Sequence, residues 1–352
     1  MKRILIITLV VLTSCLKDEP FKKEFSGFEP TNLNDGWVIS SPEAENINPA
    51  KLDQAYRLLH NDDRFLMARS MIVVRNGKLI AEDYPHDDAD RDKFQNVQSC
   101  TKSFTSIMMG IAIENGVPIS VDDKLYNIYP ELFDDDPIKR EITIADALTM
   151  QTGLEFNNDE NTLQLYQTKT NSAEFVLDFT RLHEPGTVMN YNDGAPQLVS
   201  KAIEIKTGMT EAEYAEQHLF NQLGITDWQW ENANDGTTFG AFSLYLKPRD
   251  FAKIGQLLLQ NGIWEGNQII DSGYLKTATS HLVTNNQGKP YGFYFWIDKQ
   301  HEAFYAHGHG GQVLLVVPNK NLVLLYTSWP YTSGDFFDNA FEMFDIIIEG
   351  CN

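Results

Sequence analysis

The chain has few cysteines and few basic residues. Only 3 of its 352 residues are cysteine, so a disulfide framework cannot be what holds the fold together. Lysine and arginine total 28 against 49 aspartates and glutamates, which gives a formal net charge of −21. A surface with that balance lacks the basic patch that nucleic acid requires, and we expect no nucleic-acid partner.

Two sequence motifs of common hydrolases are also missing. The chain contains no HExxH, the pair of histidines by which many peptidases bind zinc, and no Gly-x-Ser-x-Gly, the nucleophile turn of α/β-hydrolases. What the chain does have is apolar residues: 42% are hydrophobic, including 21 phenylalanines, 14 tyrosines and 6 tryptophans. This composition predicts a large folded core and argues against disorder.

The N-terminus has the pattern of an export signal. Lys2 and Arg3 precede an apolar run over residues 4–12, which is too short to span a bilayer but has the length of a secretory h-region. The next residues, Leu-Thr-Ser-Cys at 12–15, resemble a bacterial lipobox. That resemblance implies cleavage before Cys15 and lipidation of Cys15, and the alternative is an ordinary signal peptide with an incidental cysteine.

We therefore expect a lipoprotein signal peptide over residues 1–14 and a polar tether over 15–45. The protein would be exported and anchored by lipid to a bacterial membrane. The Lys-Asp-Glu sequence at 17–19 resembles a surface-export signal of some lipoproteins, which would imply display on the outer membrane. The other two cysteines, Cys100 and Cys351, are expected to be free thiols.

Local sequence signals predict an α+β fold for residues 46–350. Asn76-Gly77 separates two β-rich runs, 71–75 and 78–84, as a hairpin turn would. An apolar helix follows over about 99–115, and residues 117–240 contain mostly helical fragments. Further strands are predicted over 291–298, 303–306, 312–317 and 322–329, with a closing helix over 335–348.

These signals predict one antiparallel sheet that is built from both ends of the chain and flanked by helices. Residues 46–116 and 241–350 would form this α/β lobe. Residues 117–240 would form a second, mainly helical lobe inserted between them.

The stretch "SCTKSFTS", residues 99–106, contains a possible nucleophile. Ser99 and Lys102 are three positions apart, so on a helix they lie on the same face. At a helix N-terminus the backbone N–H of Ser99 is available to a developing oxyanion. Burial of Lys102 would lower its pKa and make it a possible proton acceptor for the serine hydroxyl. The pattern Ser-x-x-Lys often occurs by chance. The alternative to a nucleophile is a structural role, in which Ser99 is a helix N-cap and Lys102 is solvated.

Several further stretches accompany this motif. They include "ITIADALTMQTGLEF" at 142–156, "EPGTVMNYNDGAPQLVSKAIE" at 184–204, "LKPRDFAKIGQLLLQNGIWEGNQII" at 246–270 and "YGFYFW" at 291–296. Together with residues 99–106, they resemble the serine β-lactamase and penicillin-binding-protein superfamily, and more narrowly its class C, esterase and D-aminopeptidase branch. The resemblance covers about residues 50–350 and implies a β-lactamase/transpeptidase-like fold.

The resemblance implies roles for three residues. Ser99 would be the nucleophile, Lys102 its partner, and Tyr191 the phenol that relays a proton to the leaving group. Asp193 stands where the family usually has asparagine. If Asp193 faces the site, its carboxylate would keep Lys102 protonated and make the lysine an electrostatic partner more than a base. If it faces away, the departure has little consequence.

The family's third motif is expected in "YAHGHGGQ", residues 305–312. Either His307 or His309 would face the pocket, and Gly308 and Gly310 would let the strand backbone approach a substrate. A second oxyanion N–H would come from the residue after Gly308, which is His309. The literal Lys-Thr-Gly at 206–208 follows a helical stretch and is interpreted as a helix end. The two histidines have no evident third ligand, so we expect no metal and no cofactor.

The sequence thus predicts a membrane-tethered serine hydrolase that cleaves an ester or amide through an acyl-enzyme on Ser99. The alternatives are a β-lactamase, a D-Ala-D-Ala carboxypeptidase or a D-aminopeptidase. A non-enzymatic alternative is a protein that binds a cell-wall fragment or another ligand in the same pocket. In each case the partner would be a small-molecule or peptide-like substrate, with the membrane contacted through the lipid.

Overall fold

The computed structural model describes residues 21–330 and 339–351. Cys15, the predicted signal peptide and the first four residues of the predicted closing helix lie outside this range. Among the residues that are described, no helix is long and apolar enough to cross a membrane.

The described chain contains fourteen strands and ten α-helices. The strands are β1 (Val38–Ile39), β2 (Ala68–Arg75), β3 (Lys78–Asp83), β4 (Gln95–Asn96), β5 (Gln229–Trp230), β6 (Leu244–Leu246), β7 (Ile263–Trp264), β8 (Asn267–Gln268), β9 (Val283–Thr284), β10 (Pro290–Tyr291), β11 (Trp296–Asp298), β12 (Ala303–Gly308), β13 (Gln312–Val317) and β14 (Leu322–Ser328). The helices are α1 (Pro49–Asn61), α2 (Thr101–Glu114), α3 (Ile144–Leu148), α4 (Asn158–Gln167), α5 (Ser172–Leu177), α6 (Gly194–Thr207), α7 (Glu211–Ala215), α8 (Pro248–Leu259), α9 (Ser272–Ala278) and α10 (Asn339–Glu349).

One nine-stranded sheet is built from both ends of the described chain. Its strand order is β1-β3-β2-β14-β13-β12-β11-β10-β9, and every neighbouring pair is antiparallel except β1 and β3. The central contact joins β2 to β14, the first long strand to the last. The predicted fold, an antiparallel sheet made from both termini and flanked by helices, is therefore confirmed.

The sheet is covered by helices on both faces. Helices α1 and α10 pack against each other over one face, while α8 packs on β13 and β14 over the other. Strand β2 is buried on both faces. Met71 and Val73 pack in the core beneath α1 and α10, and Ile72 and Val74 pack in the core beneath α8. A strand that is buried on both faces reads as a continuous apolar run, which explains why the sequence there lacks alternation.

Local signals fixed several boundaries as predicted. Asn76 and Gly77 have φ values of 52° and 77°, the positive values that a two-residue type I′ hairpin needs at both positions. Helix α6 ends at Gly208, which is left-handed with φ of 73°, so the Lys-Thr-Gly sequence at 206–208 is a helix end. Cys100 and Cys351 are buried free thiols, as predicted.

The predicted tether is wrong for residues 21–45. The backbone N–H of Glu82 donates to Phe28 O, and Trp37 is buried against the domain. The guanidinium of Arg249 holds the same segment by hydrogen bonds to the Thr31 carbonyl and to Asp35. The polar composition of this stretch concealed its few aromatic anchors. Phe28 packs on Tyr56 of α1, and the Trp37 indole donates to Arg249 O in α8, which is 212 residues away.

The predicted strand over residues 291–298 is also wrong in its middle. The chain forms two short strands, β10 and β11, separated by a tight turn in which Tyr294 has φ of 62°. This turn is held from outside, since the Tyr294 hydroxyl donates to Ala147 O and the Ser103 hydroxyl donates to Tyr294 O. An aromatic-rich run reads as one strand unless these long-range contacts are known.

Candidate active site

Ser99 lies at the start of the most deeply buried helix. It is the middle residue of the 3-10 turn Gln98–Cys100, which runs directly into α2, and residues 101–112 of α2 are all buried. Gln98 adopts φ of 53°, and its backbone N–H donates to Asn96 Oδ1 at 2.8 Å. Because the first N–H groups of a helical segment lack partners within it, this turn can direct N–H groups toward an anion beside Ser99.

Lys102 is held at the centre of the site by three oxygen atoms. Its Nζ lies 2.8 Å from Ser99 Oγ, 2.7 Å from Asp193 Oδ1 and 3.3 Å from the carbonyl of Ala241. The side chain is only 1% exposed. The helical spacing of Ser99 and Lys102 therefore brings the hydroxyl and the ammonium into direct contact, as predicted.

The structure decides the orientation of Asp193, which faces the site. Burial by itself would lower the pKa of Lys102, but Asp193 and Tyr191 outweigh it, and the pKa of Lys102 is raised above 10.5. The expected lowering of the Lys102 pKa is therefore wrong, because the lysine is buried together with groups that favour its charged form. Lys102 is thus an ammonium at neutral pH and donates its hydrogen bond to Ser99.

Two residues that the sequence did not reveal hold Asp193. The Thr162 hydroxyl donates to Asp193 Oδ2 at 2.5 Å, and the backbone N–H of Asp193 donates to Asn158 Oδ1 at 2.8 Å. Both residues belong to α4 and are four positions apart, so they lie on one face of that helix. No sequence motif includes Asn158 or Thr162. The one sequence feature that could have suggested them is their i,i+4 spacing, which places two polar side chains on the same face of a short helix.

Tyr191 is also part of the site. Its ring centroid lies 5.0 Å from Lys102 Nζ, a distance at which the ammonium and the ring attract each other. The ring packs against Trp296 and Tyr291, with centroids 5.6 Å and 6.2 Å away. This aromatic contact orients the phenol next to Lys102.

Strand β12 forms the opposite side of the site. A Cβ on Gly308 would lie 2.4 Å from the carbonyl oxygen of Val97, so the strand can pass beside the nucleophile turn only because this residue is glycine. His307, Gly308 and His309 all line the cleft. Gly310 does not: it packs against Pro330, and its carbonyl accepts a hydrogen bond from Ser328. The assignment of Gly310 to the site is therefore wrong.

The two histidines do not form part of a larger metal-binding cluster. Over residues 21–330 and 339–351, no group of three or more histidine, cysteine or acidic side chains is arranged to hold a metal ion. Cys100, next to the nucleophile, points into the core, where its thiol contacts Gln312 O at 3.5 Å and burial raises its pKa. It is a packing residue and takes no part in the cleft.

These elements enclose a cleft of about 740 Å³ above Ser99. The cleft is lined by aromatic and acidic side chains, which include Asp159, Tyr166, Tyr191, Asp193, Glu231, Phe242, Tyr245 and Trp296. Among the described residues, no lysine or arginine lines it apart from Lys102 at its floor. Acidic side chains therefore outnumber lysine and arginine among the described residues of the cleft.

Comparison with known proteins gives matches along most of the chain. The family model described as beta-lactamase matches residues 67–346. The lovastatin esterase of Penicillium rubens is 24% identical in an alignment 278 positions long, which covers 62% of this chain and 69% of that one.

Solved structures resemble this one over nearly their full length. A family VIII carboxylesterase aligns with a TM-score of 0.69 and 16% identity, covering 89% of this chain and 98% of that one. The D-amino acid amidase of Ochrobactrum anthropi aligns with a TM-score of 0.66 and 16% identity, covering 86% of this chain and 98% of that one. At these identities the likeness shows the shared fold.

Proposed function

The chain belongs to the beta-lactamase family and is a serine hydrolase, and from this premise we propose that it cleaves an ester or amide through an acyl-enzyme on Ser99. The observation that carries this proposal is the 2.8 Å contact between Ser99 Oγ and Lys102 Nζ. The serine lies at the floor of a cleft large enough for a small acyl substrate. The order of the family's motifs along the chain agrees with this assignment.

In the proposed reaction, Ser99 Oγ attacks the carbonyl carbon and its proton passes through the Tyr191 oxygen to the leaving group. Lys102 is an ammonium held by Asp193, so its role is electrostatic: it stabilises negative charge on Tyr191 and Ser99 as the proton moves. The N–H groups of Ser99 and His309 would stabilise the oxyanion. Water then attacks the acyl-enzyme, and the proton returns to Ser99 by the reverse path.

Esters and small uncharged amides are the substrate class that the cleft favours. β-Lactams and D-Ala-D-Ala peptides carry a carboxylate near the scissile bond, and a site for them needs a cation to pair with it. In the described part of the chain, β12 and the turn after it offer only His307 and His309 at that place, and Asp159 and Glu231 line the same cleft. These carboxylates would repel a substrate anion.

The test is labelling with a fluorophosphonate followed by a panel of acyl substrates. We expect intact-mass analysis to show one label on the wild type and none on Ser99→Ala. Label retained in the alanine variant would contradict the role of Ser99. A folded wild type that neither reacts nor turns over any ester, amide or β-lactam would favour the ligand-binding alternative.

We further propose that the enzyme is exported and lipidated on Cys15. The short h-region over residues 4–12 and the lipobox-like sequence at 12–15 support this. Acyl chains on Cys15 would anchor the protein to a membrane. Cys15→Ser should move the protein from the membrane fraction to the soluble fraction and remove the lipid mass. Unchanged fractionation and mass would contradict the proposal.

A further inference from the structure

Helix α4 contacts Asp193 at two separate points. Asn158 Oδ1 accepts the backbone N–H of Asp193 at 2.8 Å, and the Thr162 hydroxyl donates to Asp193 Oδ2 at 2.5 Å. The first contact fixes the backbone at this residue and the second fixes the carboxylate. Helix α4, which lines the cleft, is therefore hydrogen-bonded to Asp193, the residue that holds Lys102.

The second contact begins a continuous chain of hydrogen bonds. It runs from Thr162 to Asp193 at 2.5 Å, from Asp193 to Lys102 at 2.7 Å and from Lys102 to Ser99 at 2.8 Å. The two carboxylate oxygens have different partners, since Oδ1 accepts from the ammonium and Oδ2 from the hydroxyl. A carboxylate held at only one oxygen can turn about its own bond, and the second contact prevents that rotation.

We propose that Thr162 is a positioning residue of this hydrolase, which holds the Asp193 carboxylate so that Lys102 stays on the Ser99 hydroxyl. The inference rests on the proposed acyl-enzyme at Ser99. Thr162 acts on the reaction only through Asp193 and Lys102.

The packing of α4 supports this assignment. Of its ten residues only Asn161 and Leu165 are buried, and the apolar side chains of Leu163 and Tyr166 are 62% and 47% exposed. A helix with so little core contact is not held in place by packing alone. The polar contacts from Asn158 and Thr162 thus contribute to holding α4 against the catalytic centre.

Loss of the Thr162 hydroxyl should change the charge state of Lys102. Burial lowers the pKa of this lysine, and Asp193 is the larger of the two groups that raise it. A carboxylate free to rotate holds the ammonium less well, so the pKa of Lys102 falls and the ammonium is lost at lower pH. Seven other titratable groups of the described chain face this cleft: Tyr166, Tyr191, Tyr245, Asp159, Glu231, His307 and His309.

The experiment compares Thr162→Val with Thr162→Ser. Valine keeps the shape of threonine without the hydroxyl, and serine keeps the hydroxyl. We expect valine to lower kcat about tenfold, the effect of one lost hydrogen bond to a charged group, with KM nearly unchanged. The alkaline limb of the kcat–pH profile should move to lower pH by about one unit. Serine should recover most of kcat and the wild-type profile.

Asp193→Asn provides the control background. In Asp193→Asn the carboxylate is absent, so adding Thr162→Val should change kcat by less than about twofold if the hydroxyl acts through that carboxylate. An equal loss in both backgrounds would overturn the proposal. So would a change confined to KM with an unmoved pH profile, because a residue that only shapes the cleft gives that result.

The design separates this inference from the proposed function. If the wild type takes no phosphonate label on Ser99, the acyl-enzyme proposal fails. If the wild type is labelled and the valine variant keeps the wild-type pH profile, the role of Thr162 alone fails. Should valine prevent folding, Thr162→Ala gives the same comparison, and the pH dependence of the labelling rate replaces kcat.

Discussion

Lys102 Nζ lies 2.7 Å from Asp193 Oδ1, and the two side chains are only 1% and 11% exposed. Removing two charges from water costs several kcal/mol of desolvation free energy. The attraction between the charges offsets this cost, but only while both partners are present. The intact pair therefore adds little to the free energy of unfolding, whereas loss of one partner lowers that free energy substantially. It also decides the protonation state of the residue next to the nucleophile.

Lys102→Met should lower the free energy of unfolding by about 3–5 kcal/mol, because Asp193 is left as a buried charge without its partner. The variant should also lose nearly all turnover. Adding Asp193→Asn removes the uncompensated charge, so we expect the double variant to regain most of the stability and none of the activity. Urea unfolding and kcat/KM measure the two effects. A double variant no more stable than Lys102→Met would contradict the role of the pair.

Asp193→Asn by itself distinguishes two roles for Lys102. Without the carboxylate, burial lowers the pKa of the lysine. If the ammonium is needed, kcat at neutral pH falls and the alkaline limb moves to lower pH. Higher kcat at neutral pH would instead identify neutral Lys102 as the proton acceptor.

The cleft should prefer uncharged esters to cephalosporins. Lack of a charge-assisted hydrogen bond to a substrate carboxylate costs about 1.5–3 kcal/mol, or roughly ten- to a hundredfold in kcat/KM. The measurement compares a chromogenic cephalosporin with a short-chain p-nitrophenyl ester, each corrected for its intrinsic reactivity. A cephalosporin preferred at pH 7 would refute this prediction. A preference seen only in acid would point to His307 or His309 as the cation.

Gly308→Ala should reduce both stability and activity. The added Cβ would lie 2.4 Å from Val97 O, a backbone atom next to the nucleophile turn, so β12 or the turn must shift. Overpacking of this kind costs about 1–3 kcal/mol, and we expect kcat to fall by about tenfold or more. Gly273→Ala is the control, since its Cβ would meet only Asp271 Oδ1 at 3.3 Å. Equal effects of the two variants would show that the close approach is unimportant.

Glu211 should make the protein less stable as the pH rises. It is fully buried at the start of α7, where burial raises its pKa to about 7 against the opposing effect of the Ser200 and Thr105 hydroxyls. Since the folded-state pKa exceeds that of the unfolded chain, the stability it contributes is complete below about pH 4.5 and is lost as the pH rises through about 7. A shift of this size corresponds to about 3 kcal/mol.

Glu211→Gln should therefore flatten the dependence of unfolding free energy on pH between 5 and 8. Urea unfolding at both values measures the difference. Glu216→Gln is the matched control, because Glu216 is exposed and follows directly after α7. It should leave the difference in unfolding free energy between pH 5 and pH 8 unchanged. If the unfolding free energy changes equally with pH in the wild type and in Glu211→Gln, a group other than Glu211 controls the pH dependence.

The limits of sequence-based prediction are clear at the active site. The i,i+3 spacing of Ser99 and Lys102 required only that the chain be helical there, and the apolar run after them made it so. Whether Asp193 faced inward was open, because residue 193 is 91 positions away from Lys102. Its orientation comes from the packing of α6 on α2 and from the hydrogen bonds that α4 makes to it. Thr162 could not be found at all, since its role comes from a contact across 31 residues.

The sequence by itself determined the parts that depend on neighbouring residues. These are the hairpin at Asn76-Gly77, the nucleophile at the head of α2, the helix end at Gly208 and the family to which the motifs belong. Tertiary structure alone decided that residues 21–45 pack on the domain, that β10 and β11 are separated at Tyr294, and that Lys102 remains charged. The physical reason is that burial and charge pairing depend on which distant groups share a space, whereas turns and helix faces depend on backbone geometry within a few residues.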